Sequence, residues 1–224
     1  MLAACTPPRT SKASSDGRAA HRLLEAGGII QDRNWPLVRR MLDRTDERRN
    51  AADTMTTTEK VATREYADLL ETLATHRYFL RFTVRNLTDE QAAQRTTASS
   101  LCLGGLIKHV ASTEQKWMSF VLGGAEAMAA GGDGPWAGNF EMLDSDTLAG
   151  LLDRYAEVAQ RTTEIVASLA DLDASHPLPE APWFEPGASW SARRVLLHLI
   201  AETAQHAGHA DIIRESLDGA RTMG

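Results

Sequence analysis

Two cysteines, Cys5 and Cys102, are all that the 224 residues contain. They lie far apart in unlike surroundings, which argues against a disulfide framework and makes a reducing cytoplasm the expected setting. Aromatic residues are sparse, at 6%, while Ala, Leu, Arg and Glu are abundant, a balance that favours helix over sheet. No run of about 18 or more apolar residues occurs, so no membrane-spanning helix is expected. A basic stripe is missing too. The net charge of −6 divides into +3 over residues 1–54 and −9 over the remainder, and an acidic main body is poorly matched to nucleic acid. The opening MLAAC places Cys5 after small residues but has neither a charged n-region nor an apolar h-region, so no leader is expected from it.

What is present is helical periodicity. Residues 1–20 are rich in Pro, Ser and small side chains, a composition that favours disorder. Asn34 to Asn50 could form a short helix with Pro36 near its first turn, but its apolar side is too small to fold alone. Met55 followed by TTTEK reads as a second beginning. Residues 1–54 are therefore expected to be an extension, or the product of an upstream start codon, and residues 55–224 the compact domain. Within that domain Tyr66, Leu69, Leu70, Leu73, His76, Leu80, Thr83 and Val84 recur at three- and four-residue steps, predicting a first helix over Glu59 to Asn86. Thr88 and Gln91 have the spacing of a capping box. Leu101 to Leu122 forms a second helix ending at Gly123-Gly124, and Asp144 to Leu172 a third. A Pro-rich loop follows, and Ser189 or Ser191 caps a fourth helix that runs to Leu217 and stops at Asp218-Gly219. The fold class expected is all-α, a four-helix bundle with long connections between the second and third and the third and fourth helices. Connections of that length often shape the mouth of a pocket.

The fourth helix carries ETAQHAGHADIIRE, in which a carboxylate and two imidazoles sit among apolar residues. With His198 at zero and about 100° per residue, Val195, Leu199, Thr203, Ala210, Ile213 and Leu217 define a buried stripe. Glu202 falls near 40° and His206 near 80°, within that stripe or on its edge, while His198 and His209 flank it at roughly 0° and 20°. A buried carboxylate costs several kcal/mol unless it is compensated. Three arrangements would compensate Glu202: a hydrogen bond from His206, a pair with Arg194, or a divalent metal. Glu and His at i, i+4 present two ligand atoms on one face. His109, on the border of the second helix's inner stripe (Leu106, Val110, Thr113, Trp117, Phe120), is the natural third ligand. Such a set leaves positions open for water or substrate.

LTDEQA, SSLCLGGLIKHVASTEQKWMSFV and WSARRVLLHLIAETAQHAGHADIIRESLDG together resemble the DinB-like superfamily, in particular its actinobacterial branch, over about Met55 to Gly219. The resemblance implies a four-helix bundle holding a divalent metal through one residue of the second helix and an ExxxH or HxxxH pair in the last. Those positions fall on His109, Glu202 and His206. The Glu-containing form is similar to mycothiol-dependent maleylpyruvate isomerases, and relatives include transferases that use bacillithiol or mycothiol.

The function implied is a metal-dependent transferase or isomerase that uses a low-molecular-weight thiol, with mycothiol as cosubstrate. Its partners would be that thiol and an electrophile, and no nucleic acid or membrane. Zinc suits the donors best, with nickel, iron and manganese as alternatives. His209 and His198 lie outside the minimal triad; each could move a proton, orient a ligand, or simply stand at the helix boundary. His76 could face the same cavity or be a satisfied core histidine. Trp136, Trp183, Phe184 and Trp190 could line a substrate pocket, but packing the long loops onto the bundle is the role expected of them. Cys102 reads as a small core residue, and His176 as surface loop. The bundle could form a homodimer. The rival readings are a metal-binding bundle without catalysis, in a stress-response or scaffold role, and a purely structural bundle.

Overall fold

A computed structural model describes residues 57–131 and 140–222, with side chains from residue 64 onward. The expected N-terminal extension, the short helix over residues 34–50 and Trp136 lie outside the described residues. The chain divides into two units, Met1–Lys60 and Val61–Gly224, and the second carries the elements that build the site. Their order is α1 (Thr57–Phe82), α2 (Asp89–Ala93), α3 (Leu103–Ala130), α4 (Leu148–Ser168), β1 (Ser175–Pro177), β2 (Ser189–Ser191) and α5 (Ala192–Asp218). The architecture is all-α, as the periodicity predicts, with one small antiparallel ribbon. Among the described residues no helix is long and apolar enough to cross a membrane.

Local chemistry sets most of the helix ends. Thr88 and Gln91 close the predicted capping box at α2. Thr147 accepts from the Gly150 amide at the start of α4, and Ser191, one of the two serines expected, accepts from the Arg194 amide to open α5. Gly219 takes a left-handed φ of 80° and ends α5 where Asp218-Gly219 was expected to stop it. At the end of α1 the cap comes from a distance. The Arg214 guanidinium on α5 donates to the carbonyls of Thr83 at 2.8 Å and Arg85 at 2.9 Å, satisfying acceptors that a helix end leaves open.

Two expectations about the course of the backbone fail. Gly123-Gly124 does not stop α3: Gly123 and Gly124 leave helical geometry, Gly124 with a φ of 70°, and the helix then resumes to Ala130. The Pro-rich segment is not all loop either. Its ends pair as β1 and β2, with His176 opposite Trp190. His176 is thus no surface-loop residue: its ring meets Phe120 edge-on at 5.8 Å, and it lies against Gly124, where a Cβ would come within 3.3 Å of it. The unusual φ and this close approach both favour glycine at 124.

α3 is the central helix, packed on α4 and α5. One apolar cluster gathers Leu80, Val84, Leu106, Val110, Leu151 and Tyr155; the other holds Leu73, Trp117, Phe120, Val195, Leu196 and Leu199. Between them the core is polar. Glu114, fully buried on α3, receives the Arg77 guanidinium from α1 and the Thr162 hydroxyl from α4, so one carboxylate ties three helices. On the surface, Arg193 bridges Glu65 of α1 and Asp173.

Candidate metal centre

His109 on α3 and His206 on α5 are buried, and Glu202, one turn before His206, keeps about a fifth of its side chain exposed. Their convergence follows from two apolar stripes facing each other. His109 lies among Leu106, Ile107 and Val110, all buried, and His206 stands one turn before Ala210 and two before Ile213. With those stripes pressed together, a polar side chain on either edge points into the seam. Nε2 of His109 lies 3.0 Å from Oε1 of Glu202, and Nε2 of His206 lies 3.2 Å from the same oxygen. The two imidazoles, His109 first, hold the Glu202 carboxyl far below the usual carboxylate range, against the opposing pull of burial.

The donor atoms of the three residues lie within 4.8 Å of one another, a grouping that could hold a metal ion. Bonds of about 2.0–2.1 Å in tetrahedral geometry put neighbouring ligand atoms roughly 3.3 Å apart. The two histidine-to-carboxylate separations, 3.0 and 3.2 Å, match that spacing closely, the set as a whole lying within 4.8 Å, and two imidazoles with one carboxylate suit a borderline divalent cation. The residues present fit the group.

The alternative partner for Glu202, Arg194, is elsewhere: its guanidinium lies over the Trp190 ring at 4.5 Å. His209 and His198 occupy different places. Nδ1 of His209 is 3.3 Å from Nδ1 of His206, on the side of the ring away from Glu202. His198 sits one turn before Glu202, its ring edge-on to Trp117 at 5.1 Å and Trp190 at 5.2 Å. Burial pushes its pKa down, with Glu202 opposing. His76 joins neither site nor core. Partly buried on α1, it borders a surface depression shared with Asp68, Glu71, Thr72 and Thr75.

Phe140 is the residue that sequence reasoning missed. It stacks on His109 with ring centres 3.9 Å apart and lies 5.9 Å from the ring of His206. Gly105 makes this stacking feasible, because any Cβ there would overlap the Phe140 carbonyl. Cys102, buried as expected, puts its sulfur 3.7 Å from that carbonyl. The signal available was an aromatic residue late in a long connection, but nothing in the sequence says which helix it covers. Farther along α3, Trp117 stacks on Trp190 at 4.7 Å and meets Phe184 edge-on, so both of these loop aromatics pack onto the bundle as expected. Trp183 is 75% exposed and does not. Thr113, one turn from His109 on α3, is buried with no protein partner for its hydroxyl among the described residues.

A helical bundle whose α3 and α5 bring two histidines and a glutamate together has the DinB-like design. The family model for mycothiol-S-transferase matches residues 68–219, about two thirds of the chain, and the chain belongs to that family. A comparison with curated proteins finds no match.

Proposed function

We propose that His109, Glu202 and His206 hold a divalent cation, zinc by preference and otherwise nickel, iron or manganese. On this reading the protein is an enzyme that joins mycothiol to an electrophilic small molecule, or isomerises one. The single observation that carries it is the meeting of the two Nε2 atoms on one Glu202 oxygen, in a chain of the mycothiol-S-transferase family. The cation would supply positive charge that lowers a thiol pKa from about 8.5, so that the sulfur is a thiolate at neutral pH.

The chain's own residues do the rest. His109 and His206 present Nε2, and Glu202 brings one negative charge to the site. Phe140 covers the imidazole of His109 and keeps water from that side. His198, whose pKa burial lowers against the opposing pull of Glu202, is the imidazole assigned to take up the thiol proton at a ring nitrogen. His209 is a positioning residue. Were Nε2 of His206 to hold the cation, its Nδ1–H would be left to donate to Nδ1 of His209, 3.3 Å away, which would fix both tautomer and ring angle. His209→Ala is therefore expected to weaken metal binding by about 10–100-fold, read by competition with a chromophoric chelator. An affinity within twofold of wild type would make His209 a boundary histidine.

The test of the function is conjugation of mycothiol to monochlorobimane by zinc-loaded protein. Turnover should exceed that of a chelator-treated control and fall to it when the metal is removed. Protein that binds metal yet turns over nothing, across a panel of thiols and electrophiles, would instead be a metal-binding bundle without catalysis. The cytoplasm is the compartment proposed, since it keeps a thiol cosubstrate and the free Cys102 reduced. Residues 55–224 are proposed as the functional domain and residues 1–54 as an extension of it.

A further inference from the structure

The outward face of α5 is unlike the outward face of the other helices. On α4, exposed positions carry Asp153, Glu157, Arg161 and Glu164, the composition of a solvated surface. On α5, the exposed face has no charged side chain between Arg194 and Glu215. Leu197 and Ile212 are 47% and 61% exposed there, and the turns between them present Ala201, Gln205 and Gly208. At about 100° per residue these positions fall within one sector of the helix.

Gly208 makes this face hard to explain within one subunit. Glycine weakens a helix interior relative to alanine, and a Cβ at position 208 would meet nothing within 4 Å. Among the described residues no contact requires glycine at that place. A close-packed helix from outside would.

The order of residues on the face says which helix. Read outward in both directions from the point between Ala204 and Gln205, small meets small at Ala201 and Gly208. Farther out, apolar meets apolar at Leu197 and Ile212, and positive meets negative at Arg194 and Glu215. Two copies of α5 laid antiparallel about a twofold axis at that point would place each residue against its match on the partner. That reciprocity is what a twofold interface demands. Small residues at the centre let helix axes approach closely, and Leu197 of each copy would cover Ile212 of the other. Glu215 already accepts from Arg221 at 3.0 Å yet stays about half exposed, so it retains room for a second guanidinium.

We infer that the outward face of α5 is a homodimer interface, an antiparallel α5–α5 pair centred between Ala204 and Gln205. His198 and His209 border this face, so the rims of the two metal centres would lie on either side of the contact. The inference stands on the surface alone and does not depend on the cation.

Sedimentation of the full chain should show a dimer. Leu197→Glu and Ile212→Glu, at exposed positions that leave helix content unchanged by circular dichroism, should each dissociate it. Arg194→Glu and Glu215→Arg should each weaken association by about tenfold, and the double exchange should restore it, since a like-charge contact becomes an opposite-charge one again. That recovery cannot come from a folding defect. Gln205→Cys, in a Cys5→Ser background, should form an intersubunit disulfide on mild oxidation, whereas Asp153→Cys on α4 should not. A chain that stays monomeric at its highest soluble concentration overturns the inference. So does a dimer indifferent to Leu197→Glu and Ile212→Glu and not cross-linked through position 205, which would assemble elsewhere, for instance through residues 1–54.

Discussion

Arg77→Met is expected to lower the unfolding free energy by about 3–5 kcal/mol, the cost of leaving a buried charge without its partner. Glu114 has no access to solvent, and the Arg77 side chain is about 8% exposed. Nε of Arg77 donates to one Glu114 oxygen at 3.0 Å, and its Nη2 and the Thr162 hydroxyl both donate to the other. Removing the guanidinium strips two charge-assisted donors at once and leaves a carboxylate that must protonate or draw in water. The same carboxylate, after burial itself, helps hold the Tyr155 phenol well above its usual range, so its surroundings have little polarity to lend. Denaturant unfolding of the single variant, of Glu114→Leu and of the double variant Arg77→Met/Glu114→Leu decides the matter. The double variant should regain most of the loss, because a pair replaced together by apolar groups leaves no stranded charge. A single-variant cost below about 1 kcal/mol would put the pair in the class of solvent-screened ion pairs.

That pair also marks where the sequence is hard to read. The stripe of α1 was expected to pass through His76; Leu73, Arg77 and Leu80 are the buried line, and His76 is only partly buried. Periodicity places both residues near the stripe edge, and a titratable neutral ring looks like the cheaper one to bury. What decides is Glu114, one residue past Thr113 on a different helix, and no local rule couples the two.

The same division holds elsewhere. Caps at Thr88, Ser191 and Gly219 were legible because a cap is made by residues within one turn of it. The helix across Gly123-Gly124 was not, because its course depends on His176 packing against Gly124. Strands of three residues are too short for alternation to show. The triad was legible for a physical reason: polar atoms on an apolar stripe need compensation, so Glu202, His206 and His109 stand out from residues that do not. Phe140 carries no such mark, and only the fold brings it over His109.

His206→Ala carries the largest effect expected on the metal centre. Four-ligand zinc sites hold their ion with roughly 10–16 kcal/mol, so each ligand's share corresponds to about 10²–10³-fold in affinity. The loss should fall in that range or above it, because with two donors left the chelate no longer encloses the ion. Glu202→Gln should lose a comparable amount, since it removes the only anionic donor while keeping shape and hydrogen-bonding capacity. Glu202→His tests geometry against charge: it builds a three-histidine set on the same helical face and should bind zinc within about tenfold of wild type.

Thermal unfolding gives a second readout that needs no substrate. Metal at about 1,000 times its Kd adds about 4 kcal/mol to the stability of a protein that binds only when folded. For a domain of this size that is a rise in Tm on the order of 10 °C. The wild type and Glu202→His should show that rise, and His206→Ala should not. Metal content separates a weakened site from one that was never there: protein purified without a histidine tag should carry the ion in wild type and lose it in His206→Ala. Equal, low metal content in the two would leave the Glu202–His206 contact as a core hydrogen bond and remove the basis for thiol activation. Retention of the ion by His206→Ala alongside loss in His109→Ala would move the centre onto α3 and require a different third donor.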